Sequence, residues 1–466
     1  MTLHLSFVRI IVSLYTRNVV VNCLFLQRYL PIISRKISRK HASRSLTLPW
    51  LIVKIRNFGG SMFDVLKILA VLVILVVLLR RKLFLGTVMA AGSLCLAILY
   101  RTHPMDFLEG IKTAFLAPVS LEMTGTIVLT MILENILRKT ETLKKMVMSL
   151  SRFLPDYRLV MATMPAVIGL LPSPGGAVFS APMVSEASAA FGVNSERKAL
   201  INYWFRHIWE YVSPLYPGMI LAAGIAQISC RELSIINAPF AISVVVWGFL
   251  LCFAGIRRSE GISDVPQEGK GRAFASFLLA FSPILLILIL VVVAGISPVL
   301  SIGGVILALF LLHHYSPRRV WITLRESVSI RMLLMVAGIL VFQETLLITG
   351  SLTGISTFFA ASGLPVVLIV AVLPFLTGFM TGLTIAFVGI TFPLLLPLMG
   401  HDVLFPGLLA LAFGSGFAGV MLSPLHLCLV LTREYFNADL SKVYRLLLLP
   451  SILVLAAAIV PFILLS

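Results

Sequence analysis

The chain has 466 residues, 59% of them hydrophobic and 12% charged, with 37 Lys/Arg against 19 Asp/Glu and a formal net charge of +18. Soluble domains carry roughly 25% charged residues, so a soluble globular fold is excluded. The excess positive charge lies in short loops between apolar runs, which argues against a nucleic-acid partner. The five cysteines (Cys23, Cys95, Cys230, Cys252 and Cys428) have neither metal nor redox spacing and read as small packing residues.

Residues 1–61 stand apart. They hold ten Lys/Arg and no Asp or Glu, clustered at Arg35-Lys36, Arg39-Lys40 and Arg44. The expectation is a basic leader outside the fold: a targeting peptide, a translated region upstream of a start at Met62, or a weak extra helix near Val19–Ile33. From Met62 onward, apolar runs of about 20 residues recur, each long enough for a hydrocarbon core of roughly 30 Å. Barrel strands would be shorter and would alternate, so the spans are helices. The expected fold is an all-α polytopic membrane protein of about ten transmembrane helices. The full spans fall near 63–80, 83–100, 116–138, 206–229 and 239–256, then 274–295, 297–314, 332–350, 406–430 and 446–465. A linker at 257–273 separates repeat 1 (62–256) from repeat 2 (274–466).

Between the third and fourth span of each set lies an extra apolar stretch, 159–184 and 364–399. The first carries Pro165, Pro172, Pro174, Gly175, Gly176 and Pro182, and each interior Pro costs a straight helix around 3 kcal/mol. In lipid the freed backbone groups need partners, so such a stretch is buried in protein or lines a wet cavity. Positive loops lie on the cytoplasmic side. If both stretches are re-entrant hairpins, loops 80–82, 138–158, 185–204, 257–273, 315–331 and 433–445 share one face with 22 Lys/Arg. Loops 101–113, 230–238, 351–363 and 401–405 share the other with three (Arg101, Lys112, Arg231). Treating 159–184 as one crossing scatters the charge over both faces. Five spans per half then place the halves in opposite orientation, with Met62 and the C-terminus outside the cell membrane.

Each half also carries a second interruption, at Ser213-Pro214 and at Ser423-Pro424, 210 positions apart. Interrupted apolar segments at matching positions of two halves point to a transporter's binding site. A half-helix N-terminus presents unpaired N–H groups and about half a positive charge, suited to an anion. The candidate binding residues are therefore Ser173, Pro174, Gly175 and Gly176 at the first tip and Thr381, Gly382 and Thr384 at the second. Ser213, Pro214, Ser423 and Pro424 face them.

The segment Asn202–Tyr211 is the richest in polar groups. Arg206 and Glu210 are spaced to pair on one helix face, either as a structural ion pair with Trp204 and Trp209 as interfacial anchors, or as coupling groups. In the second role Arg206 or His207 attracts an anion, and Glu210 or His207 exchanges a proton. His426 is a further proton-carrier candidate. Glu134, which aligns with Gln343 beside Glu344, is another charge candidate, and Glu122 a weaker one. No catalytic motif or metal-ligand spacing occurs, so neither an enzyme nor a cofactor is expected.

At the paired tips and Ser-Pro breaks the chain resembles the ion-transporter superfamily, whose members include gluconate permeases and dicarboxylate symporters. Within that group it is similar, over about 62–466, to an uncharacterised prokaryotic membrane family, domain of unknown function 401. The resemblance implies a scaffold, a mobile domain holding the hairpins, alternating access and a homodimer. Dicarboxylate symporters carry Ser-Asn-Thr at their tips; here the tips read Ser173-Pro174-Gly175-Gly176 and Thr381-Gly382-Leu383-Thr384. The leading expectation is a secondary active transporter of a small anion, an organic acid, coupled to H+ or Na+. The alternatives are a cation/proton antiporter on the same fold and a membrane protein with no transport role.

Overall fold

In the computed structural model, residues 47–458 are described, apart from 82, 155, 171, 173–175, 190–191, 257–266, 363 and 401–403. By its contacts the chain divides into Met1–Gly60 and Ser61–Ser466. The extra helix considered near 19–33, the first-tip residues Ser173, Pro174 and Gly175 and most of the 257–273 linker lie outside the described residues. Every described element is helical, as the composition predicts.

The first set runs α1 (Thr47–Arg80), α2 (Leu85–Leu99), α3 (Pro104–Leu116), α4 (Pro118–Lys139) and α5 (Thr142–Phe153). It continues with α6 (Tyr157–Ile168), α7 (Gly176–Ala187), α8 (Ser195–Arg206), α9 (Pro217–Ala226) and α10 (Cys230–Trp247). The second set runs α11 (Gln267–Leu288), α12 (Pro298–Leu312), α13 (Pro317–Ser327), α14 (Ile330–Ile348) and α15 (Ser351–Ser362). It closes with α16 (Val366–Thr381), α17 (Thr384–Met399), α18 (Phe405–Leu422), α19 (Leu427–Phe436) and α20 (Leu440–Ala456).

The two sets match helix for helix. α2 and α12 both span 15 residues, α5 and α15 both 12, and α9 and α19 both 10. The punctuation recurs too. α9 ends on left-handed Gln227 and α19 on left-handed Asn437, 210 positions later. The next helix is then capped by Ser229 in one half and Asp439 in the other, again 210 apart. Such oxygen caps satisfy the N–H groups that a helix start leaves open.

Among the described residues, six helical segments are long and apolar enough to cross a bilayer: Met62–Leu79, Pro118–Lys139, Cys230–Cys252, Gly269–Val293, Ile330–Ile348 and Phe405–Phe436. The spans read at 83–100 and 297–314 coincide with the shorter apolar helices Leu85–Leu99 and Pro298–Leu312. One expectation needs correction. The span read at 206–229 is not one helix: α8 stops at Arg206, a 3-10 turn covers Ile208–Tyr211, and α9 starts at Pro217. Hydropathy averages over such a gap because apolar and aromatic residues (Ile208, Trp209, Tyr211, Val212, Leu215, Tyr216) outnumber the polar ones in it.

Burial separates core from periphery. The Phe405–Phe436 window is 78% buried, whereas Met62–Leu79 and Gly269–Val293 are each 17% buried. The matched helices α1 and α11 are thus peripheral. α18 is central because Gly407, Gly414, Gly416 and Gly419 let neighbours approach its backbone. It packs most extensively on α16, α6 packs on α7 and α8, α9 on α17, and α19 on α7 and α8. Each half's Ser-Pro segment therefore rests on the Pro/Gly-interrupted helices of the other half.

Candidate functional site

The site begins with two close approaches of backbone to backbone. A Cβ on Gly169, which ends α6, would lie 2.1 Å from the carbonyl oxygen of Arg206. A Cβ on Gly378 in α16 would lie 2.1 Å from that of Gly416. The glycines are 209 positions apart and their carbonyl partners 210. Both halves thus bring the broken helix against the Pro/Gly-rich one at the same point, where only hydrogen fits.

The Ser-Pro turns are also alike. Ser213 Oγ accepts the N–H of Leu215 at 3.3 Å, and Ser423 Oγ accepts that of Leu425 at 3.2 Å. The serine hydroxyls shape the turns around Pro214 and Pro424. Just beyond them, Tyr216 precedes α9 and His426 precedes α19, 210 positions apart. Tyr216 donates its hydroxyl to the carbonyl of Gly169. His426 Nδ1 donates to the carbonyl of Gly382 at 2.8 Å. In both halves a side chain at the same position satisfies a carbonyl orphaned where the neighbouring helix ends.

Gly382 is required by its geometry. It ends α16 at φ 67°, and a Cβ there would come 2.8 Å from the backbone nitrogen of His426. Thr381 stabilises the same bend, donating to the carbonyl of Thr377 at 2.8 Å and accepting the N–H of Leu383 at 3.4 Å. Thr384 opens α17 and donates to Glu210 Oε2 at 3.1 Å, a bond between the two halves. Gly176 opens α7.

The segment 202–211 is anchored on all sides. Asn202 donates to the carbonyl of Ala177 at 3.0 Å and to Thr432 Oγ1 at 3.2 Å. Tyr203 donates to the carbonyl of Met421 at 2.9 Å. In the structural ion-pair alternative, Trp204 and Trp209 would be anchors at the membrane interface. Instead Trp204 is fully buried and donates to the Val244 carbonyl at 2.9 Å, while half-buried Trp209 donates to that of Ala166 at 2.8 Å. The one-face pairing of Arg206 with Glu210 also needs revision, since the helix stops between them. Glu210 Oε1 turns instead toward His207 Nε2, 3.7 Å away.

Here the two halves meet chemically. His207 Nε2 and His426 Nε2 are 3.0 Å apart. His207 Nδ1 lies 2.6 Å from the carbonyl oxygen of Tyr203. Both rings are buried, as is Arg206. Cys428, on the first turn of α19, brings its sulfur within 4.8 Å of ring nitrogens of His207 and His426. A small cavity of about 10 Å³, roughly one water's worth, is lined by His207, Tyr211, Phe417 and Ser451.

The structure therefore brings together Arg206, His207, Glu210, Gly382, Thr384 and His426. Glu134 stays on α4, 3.7 Å from Arg138 Nη2 and within electrostatic reach of Arg206. Glu344 packs beside Gly110 of α3. Glu122 lines a separate cavity of about 500 Å³ with Thr126, Gln227, Arg231 and Ser297. Sequence reading missed Cys428, Tyr203 and Tyr216. The signal for Cys428 was its place two residues after His426; the two tyrosines had none beyond the 210-residue register.

These features define a polytopic helical membrane protein with a duplicated arrangement of interrupted helices around a buried polar centre. The chain belongs to the family described as "Protein of unknown function (DUF401)", whose model matches residues 62–465. Comparison with curated proteins gives no match.

Proposed function

We propose that this protein is a secondary active transporter of a small organic anion, driven by an H+ or Na+ gradient across the cell membrane. The observation that carries the reading is the buried meeting of Glu210, His207, Thr384 and His426 at the ends of helices interrupted in both halves. Polar and ionisable groups at such depth are costly and mark solute or ion pathways. The starts of α9, α17 and α19 point unpaired N–H groups into this region and the buried cation Arg206 adds positive charge, a combination suited to a carboxylate.

The halves are proposed to lie in opposite orientation, with α6–α7 and α16–α17 as re-entrant hairpins. The matched short helices support this. α5 carries Lys144, Lys145 and Arg152 while its counterpart α15 has no charged residue. Likewise α13 carries Arg318, Arg319 and Arg325 against Glu326, while its counterpart α3 has Asp106 and Glu109 against Lys112. A Lys/Arg-rich helix in one half matched by a Lys/Arg-poor one in the other fits the positive-inside rule for an inverted pair.

The test is uptake by proteoliposomes of a panel of radiolabelled mono-, di- and tricarboxylates under imposed H+ or Na+ gradients. Gradient-dependent accumulation of one acid is expected, reduced at least tenfold in Thr384→Val. Cation-for-proton exchange without anion flux would establish the antiporter instead. A monodisperse protein that moves neither would overturn the transport reading.

A further inference from the structure

Among the described residues, one group of metal-ligating side chains converges. The ligand atoms of His207, His426 and Cys428 all lie within 4.8 Å of one another. His207 comes from the first half, while His426 and Cys428 come from the second. The group sits where the α8–α9 and α18–α19 interruptions meet.

The orientation of the rings is the informative part. A backbone carbonyl can only accept a hydrogen bond, so each Nδ1 facing one carries the proton. His207 Nδ1 faces the Tyr203 carbonyl at 2.6 Å, and His426 Nδ1 faces the Gly382 carbonyl at 2.8 Å. In the neutral rings both lone pairs then belong to Nε2, and those two atoms face each other at 3.0 Å. Lone pairs held that close repel unless an electron-pair acceptor lies between them. Two imidazoles on one tetrahedral zinc, with Zn–N of roughly 2.0–2.1 Å, would stand about 3.3 Å apart, close to the observed separation. Anchoring the remote ring nitrogen on a carbonyl is how proteins orient histidine ligands.

Cys428 adds a sulfur donor. The thiolate is the form that binds metal. Glu210 Oε1 lies 3.7 Å from His207 Nε2, outside this group of three. Two nitrogens and a sulfur match a borderline-soft divalent ion and would be a poor site for Mg2+ or Ca2+.

We propose that His207, His426 and Cys428 bind one zinc-class divalent cation, so that the metal links the two interrupted segments. This does not rest on the transport reading, because binding is measured on purified protein with no gradient present. The protein, prepared without a histidine tag, is stripped with a chelator and titrated with Co2+ and Zn2+. One equivalent of Co2+ per chain should bind and give a near-ultraviolet thiolate-to-cobalt band, which Zn2+ abolishes. Cys428→Ser, which keeps nearly the same side-chain volume, should lose that band and bind Co2+ at least tenfold more weakly. His426→Gln should weaken binding similarly, and unchanged size-exclusion elution certifies the fold of each variant. Absence of stoichiometric metal in the wild type would overturn the proposal and leave the histidines sharing only a proton. A cobalt spectrum unaltered by Cys428→Ser would overturn it too, by moving the ion elsewhere.

Discussion

Replacing Gly378 by alanine tests the close approach that brings α16 onto α18. The added Cβ would lie 2.1 Å from the Gly416 carbonyl oxygen and 3.1 Å from the Val420 nitrogen, whereas ordinary contact begins near 3.4 Å. Both opposing atoms are backbone, so no side chain can swing aside, and the helices must part by about 1 Å. Forcing extra volume into a packed interior costs typically 1–3 kcal/mol, and an unyielding backbone partner places this case at the upper end. Alanine recovers roughly 1 kcal/mol of helix propensity over glycine, leaving a net loss of about 2 kcal/mol. Gly304 of α12 is the internal control, since nothing lies within 4 Å of its Cβ position. Thermal unfolding in detergent should therefore show Gly378→Ala melting below the parent and Gly304→Ala at or above it. Gly169→Ala should behave like Gly378→Ala, because it meets the Arg206 carbonyl at the same 2.1 Å. If Gly378→Ala and Gly304→Ala melt alike, the helices do not touch there and the reasoning from the paired glycines fails.

Opposite orientation of the halves is tested on the matched helices α3 and α13, where Lys112 and Arg325 are both exposed. A membrane-impermeant maleimide should label Lys112→Cys from outside the cell and Arg325→Cys only after the membrane is opened, each measured against the parent; labelling from one face would refute the inversion. Asp439 caps α20, and its carboxylate accepts the N–H of Lys442 at 3.0 Å, which holds its carboxyl below the usual carboxylate range. A group whose folded value is lowered stabilises the fold above its unfolded value of about 4 and loses that contribution as pH falls through the lower folded one. Asp439→Ala should thus melt below the parent at pH 7, with the gap closing in acid; a gap independent of pH would remove the charge from the explanation.

Much of this architecture was legible because the two halves share their punctuation. The Ser213-Pro214 and Ser423-Pro424 register gave the 210-residue spacing that Tyr216 and His426, or Gln227 and Asn437, go on to obey. Glu210, His207 and His426 were singled out because charge inside an apolar run is expensive. Their convergence was not legible, since Thr384 and Glu210 are 174 positions apart and only the crossing of the halves joins them. The gap between α8 and α9 was hidden because Ile208, Trp209 and Tyr211 are as apolar as a span. Cys428 was read as packing because His207, whose ring its sulfur approaches, lies far upstream in the chain.

The position shared by Tyr216 and His426 shows how a duplicated scaffold can grow a second use without losing the first. A phenol has one polar atom, and Tyr216 commits it to holding a helix end. An imidazole has two, at opposite edges of a rigid ring. His426 fastens the backbone with one and turns the other toward His207 of the opposite half. Swapping one planar ring for another at this spot preserves the helix end while adding a second polar atom in one half alone, which makes an asymmetric centre attainable inside a duplicated frame.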